Sequence, residues 1–235
     1  MIKQCIPLLI LLLSVNAYAG GKVTIQSEHE GEKMNMVIEY LDQNTLRMNM
    51  PGQGEASGYM LVKGNKVYTV TNINNTPMVM DMAAMGKMAS AFGAAESSPD
   101  QDNGPLGYKV LEIKPLEKKE TVAGFTGKVY LLTTKENNTT KTEEVVLSSD
   151  PLVRDYAAAW SHASLAMEKA MGKEAGGDTD LNDYMATHKL GLLRYGKEFK
   201  VLAIEKTTPP AQRFNLPAPP MSMPDFGSMF GAPAQ

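Results

Sequence analysis

The sequence predicts an α+β protein: a curved, incompletely closed antiparallel β-sheet, a half-barrel, with two or three helices on its concave side. Three observations lead there. Short runs with apolar residues at every second position recur between turn signals, from Val23 to Met80 and again from Tyr108 to Ser148. Two later segments switch to helical spacing. Strands joined by tight turns pair antiparallel in sequence order, so a meander is the simplest topology.

The elements follow in order. VTIQSEH (23–29) and KMNMVIEY (33–40) flank Gly31 as a hairpin, and TLRMNM (45–50) ends at Pro51-Gly52. YMLV (59–62) and VYTV (67–70) flank KGNK, whose Gly64-Asn65 is a tight-turn signal, and a P-M-V-M strand follows. In DMAAMGKMASAFGAA, Met82, Met85, Ala89 and Phe92 recur at helical steps behind Asp81 as N-cap, with the polar loop 96–107 after them. YKVLEI (108–113), KVYLLTT (128–134) and TEEVVLS (142–148) resume the strand pattern, with a bend at Gly124 and Gly127. Asp150-Pro151 opens a helix of about twenty residues that ends near Gly172, with Leu152, Tyr156, Trp160, Ala163, Met167 and Met171 on one face. A second helix, Thr179 to Lys189, carries Leu181, Tyr184, Met185 and His188 together, and a hairpin about Gly196-Lys197 closes the domain. The expected organisation is a signal peptide over 1–19, one domain over 20–208, and a flexible tail rich in Pro and Met over 209–235.

Export is read from MIKQCIPLLILLLSVNAYAG: a lysine, a short apolar run and a cleavage site of the A-x-A type near Ala19. Cys5 is the only cysteine and lies inside that segment, so the mature chain is expected to have no thiol, disulfide or Cys-ligated metal. That composition suits a periplasm. No stretch reaches the roughly 20 apolar residues of a membrane span. With 23 Lys+Arg against 26 Asp+Glu and no basic stripe, nucleic-acid binding is not expected. The signatures of serine and metal hydrolases, phosphate-binding loops and dinucleotide folds are missing, so no enzyme, no catalytic residue and no cofactor is expected. Of the histidines, His29 reads as exposed, His162 as pointing away from its helix's apolar face, and His188 as lying on such a face.

The methionines are the unusual feature. KMNMVIEYLDQNTLRMNM carries two Met-x-Met pairs, Met34 with Met36 and Met48 with Met50. At strand period, Met34, Met36, Ile38 and Tyr40 share one face, and Leu46, Met48 and Met50 share another, which Met60, Met78 and Met80 can extend. Three readings compete. Unbranched thioethers fill irregular core gaps; the same adaptability suits the wall of a pocket for variable apolar guests; and thioethers select Cu(I), which Met34, Met36, Met48 and Met50 could bind in pairs. The pocket reading takes Met34, Met36, Met48, Met50, Met60, Met78 and Met80 as wall and Tyr156 and Trp160 as the covering helix. In the tail, Met221, Met223, Phe226, Met229 and Phe230 are candidates for docking onto a partner or folding back into the groove.

Strands bearing R-M-N-M, the K-G-N-K hairpin with V-Y, P-M-V-M before a small helix, V-A-G-F-T-G-K-V-Y, V-V-L-S-S-D-P-L before a helix and the closing A-Q-R-F-N-L-P-A together resemble a family of uncharacterised exported bacterial domains. Members of that family look similar to the outer-membrane lipoprotein carriers and their receptor. The resemblance implies the half-barrel fold and, from the carriers, acyl chains bound in the concave face; no catalytic residue is carried over. The expected function is a periplasmic, non-enzymatic protein that binds a lipid, an acyl chain or another apolar ligand. The alternatives are Cu(I) binding, or an assembly factor acting through the tail.

Overall fold

The computed structural model describes residues 20–49, 58–74, 76–91, 109–136, 139–172 and 181–221. Among the described residues, eleven strands form one antiparallel sheet. They are β1 (Gly21–His29), β2 (Glu32–Asp42), β3 (Thr45–Asn49), β4 (Gly58–Lys63), β5 (Lys66–Ile73), β6 (Thr76–Asp81), β7 (Lys109–Val122), β8 (Phe125–Glu136), β9 (Thr139–Ser148), β10 (Gly191–Tyr195) and β11 (Phe199–Lys206). The order across the sheet is β6-β5-β4-β3-β2-β1-β11-β10-β9-β8-β7, so two meanders join where β1 pairs β11, and the sheet is open between β6 and β7. Among the described residues, three α-helices accompany it: α1 (Met82–Ala91), α2 (Pro151–Ala170) and α3 (Leu181–His188).

Helix starts follow the capping residues read from the sequence. The Asp81 carboxylate accepts from the Ala83 amide at 2.9 Å, and that of Asp150 accepts from the Leu152 amide at 2.9 Å, satisfying donors that have no partner within the helix. Pro151 takes the first helical position, where its missing N–H costs nothing.

Helix α2 packs on β10, β11, β2, β3 and β5, and defines the inner face of β1–β6. Its buried stripe of Ala159, Ala163, Ala166 and Ala170 has small side chains that let the helix lie close to the strands. Gly191 shows how close: a Cβ there would stand 2.5 Å from the Val153 carbonyl oxygen and 3.0 Å from Ala157 Cβ. The other end of α2 meets α1, where a Cβ on Gly86 would lie 2.7 Å from the Ala170 carbonyl.

The opposite, outer face of β3–β6 is covered by chain that the sequence assigns to the flexible tail. Residues 209–221 pack there: a single 3-10 turn, Ala211–Phe214, inserts Phe214 among Leu61, Tyr68, Val70 and Val79. Arg213 Nε pairs with Glu39 Oε2 at 2.8 Å, Arg47 Nη1 donates to the Arg213 carbonyl at 3.1 Å, and the Arg47 guanidinium stacks 3.7 Å over the Tyr59 ring. The Met221 amide donates to the Val79 carbonyl at 2.8 Å, capping part of the free edge of β6. The packed chain therefore continues past residue 208 to Met221. Met223, Phe226, Met229 and Phe230 lie outside the described residues, as do residues 1–19.

At the other edge β7 runs on to Val122, well beyond the expected end near Ile113. Pro115 and the charged residues after it read as a strand terminator. They are tolerated because an edge strand needs no amide donor on its free side, and the register shifts between Pro115 and Lys119. The turn back to β8 is at Ala123-Gly124, while Gly127 lies inside β8, where a Cβ would meet Val146 at 2.6 Å. Strand β7 also approaches β11, four places away in the sheet order, so this side of the sheet is strongly curled. Arg194 on β10 holds it with a two-pronged pair to Glu120 at 2.9 and 2.8 Å, and reaches Glu144 at 3.2 Å.

Candidate functional site

A cavity of about 390 Å³ opens where α2 and α3 meet strands β8–β11. Tyr156, Ala157, Trp160 and Ser164 come from α2, and Leu181, Asn182 and Met185 from α3. Leu192, Tyr195 and Phe199 come from β10 and β11; Thr134, Lys141 and Glu198 add polar groups. The register accounts for the gathering, since Tyr195 pairs Phe199 and Lys141 pairs Thr134, and cross-strand partners point to one face. Helix α3 is anchored beside it, with Leu181 and Met185 buried against Tyr130, Leu132, Val145 and Leu147.

The polar groups form a tight set. Lys141 Nζ is hydrogen-bonded to Glu198 Oε1 and lies 3.2 Å from Glu143 Oε1, so one ammonium serves two carboxylates. Its proton is held well above the ordinary lysine range, chiefly by the bond to Glu198. Glu143 Oε2 is buried and has no hydrogen-bond partner among the described residues. The Tyr195 phenol is pushed up by burial and then by Glu143, while its hydrogen bond with Thr134 pulls it back. Deeper in, Tyr156 is fully buried and raised chiefly by that burial, and Tyr40 is pushed up to about 12 by burial and by Asp155.

Of the residues singled out in the sequence, Tyr156 and Trp160 line this cavity and the strand methionines do not. Those methionines do share a face. The pairings Val23 with Ile38, Ile38 with Met48, Met48 with Met60, Met60 with Thr69 and Thr69 with Met80 make one row across the sheet. Met36 and Met78 belong to the same face, two residues along their strands. Met48 is only 9 % exposed within the core cluster under α2, and Met36 and Met60 pack against that cluster. Met78 and Met80 are half-buried on β6; Met34 is 39 % exposed near the β1–β2 hairpin. Met50 lies outside the described residues. Met34, Met36 and Met48 thus range from open surface to sealed core.

Sequence reasoning missed Met185, Leu192, Tyr195, Phe199 and the Lys141–Glu198 pair as cavity residues. The apolar periodicity of α3 marked Met185 as inward, but nothing local shows that α2 and α3 leave a gap over β10. Among the described residues no group of three metal-binding His, Asp or Glu side chains comes together, and no helix is long and apolar enough to cross a membrane. His29 is exposed, and His188 is exposed while stacking 4.0 Å from the Tyr184 ring. Comparison with protein-family models, with curated proteins and with solved structures returns no match.

Proposed function

We propose that this chain is a non-enzymatic binding protein of the periplasm that takes an apolar guest into the cavity between α2, α3 and β8–β11. The observation that carries the reading is the cavity itself. Its volume of about 390 Å³ falls within the roughly 300–1,000 Å³ of small-molecule sites, and apolar and aromatic side chains dominate its wall with a few polar groups among them. Tyr156 and Trp160 serve as the α2 side of the wall and Met185 as its adaptable side on α3. In this reading the sheet is a half-barrel of the lipoprotein-carrier type with its helices in the concavity, and the methionine row is packing that seats α2.

The experiment is native mass spectrometry and lipid extraction of the protein purified from its own source. The expected result is a bound apolar molecule in stoichiometric amount. Empty protein that also takes up no apolar probe in vitro overturns the reading.

A further inference from the structure

The size, wall and rim of the cavity narrow the guest further, and this step rests on the binding reading above. A volume of about 390 Å³ lies near the lower end of the roughly 300–1,000 Å³ of small-molecule sites. That suits one short chain rather than the several chains of a membrane lipid. The wall contributes Tyr156, Trp160, Tyr195 and Phe199, four aromatic side chains in a protein with only 7 % aromatic residues. Ring faces carry negative potential and attract cations, ammonium groups above all. The rim has the same preference: Lys141 and Glu198 line the cavity, and Lys141 is also held by Glu143 beside them, leaving the trio one positive charge short.

We propose that the guest is a single-chain amphiphile with a cationic ammonium head, its chain between α2 and α3 and its head at the Lys141–Glu198 rim. A carboxylate or phosphate head could reach Lys141 only by approaching two carboxylates that already occupy it. An ammonium head meets those carboxylates and the aromatic wall together, so the discrimination is built from repulsion as well as attraction.

Trp160 provides the readout, because it is the only tryptophan of the chain and stands on the cavity wall. Its fluorescence is titrated at pH 7 with decyltrimethylammonium, decanol and decanoate below their micellar concentrations. The expected order is ammonium tightest, alcohol between, and carboxylate weakest by about tenfold or more. Glu198→Gln, at a side chain 54 % exposed and therefore safe for folding, is expected to shrink the ammonium-to-carboxylate ratio at least about threefold. Decanoate binding as tightly as the ammonium, or a ratio unmoved by Glu198→Gln, overturns the head-group inference while leaving the cavity a binding site. No saturable change with any of the three overturns both.

Discussion

Phe214 sits in a stretch of sequence dominated by proline and small residues, and nothing in its neighbours' spacing marks it as core. Yet it is among the largest fully buried side chains, held on the outer face by Leu61, Tyr68, Val70 and Val79. Phe214→Ala is expected to lower the unfolding free energy by about 3 kcal/mol in denaturant titration, the lower end for a buried phenylalanine because one side of the site is a surface segment that can collapse. Tyr40 gives a pH signature. Its phenol moves from an ordinary 10 to about 12 in the folded protein, so the folded state favours the neutral form. That contribution is fully present below pH 10 and is lost as pH rises from 10 towards 12. Unfolding midpoints measured across that range should fall, and Tyr40→Phe should flatten the fall, leaving the share of Tyr156. At this scale the sequence was readable where period held: Met36, Ile38, Met48 and Met60 do share a face, as alternation required. Phe214 and Tyr195 were not readable, because their burial depends on segments far away in the chain.

Helix α2 is the element whose limits were most legible, since Asp150, Pro151 and Gly172 are local signals and all three act locally. Asp150→Ala is expected to cost about 1 kcal/mol in thermal or chemical unfolding by removing the bond to the Leu152 amide. Gly191→Ala tests the contact of α2 with β10: the added methyl has no room beside Val153 and Ala157, and a loss of about 1–3 kcal/mol is expected. Strand β7 was the least legible element. Pro115 and the run of charges after it argue for a strand end, and only the pairing with β8 and the Arg194 clamp on Glu120 reveal a longer strand. Arg194→Met removes that clamp, and faster amide exchange through residues 118–122 with little change in β1–β6 is the expected result.

On the scale of the whole molecule, the open antiparallel sheet with accompanying helices was legible from strand period and turn chemistry. The position of the cavity was not. It arises where α2 and α3, both packed on β10, leave a gap over β8–β11, and no motif encodes a gap. Two faces of one sheet are put to different uses: the outer face of β3–β6 is sealed by residues 209–221, the inner face of β1–β6 seats α2 together with β10 and β11, and β8–β11 wall the cavity. The most direct measurement fills that cavity and leaves the methionine row alone, then reverses the choice. Trp160 fluorescence is titrated with one apolar probe in the wild type, in Ser164→Phe, which places a ring into the cavity from α2, and in the double substitution Met48→Leu with Met60→Leu. Saturable binding that is lost in Ser164→Phe and kept in the double variant is the expected result. Binding indifferent to Ser164→Phe, or abolished when only the methionines change while both variants remain folded, would contradict the assignment of the site.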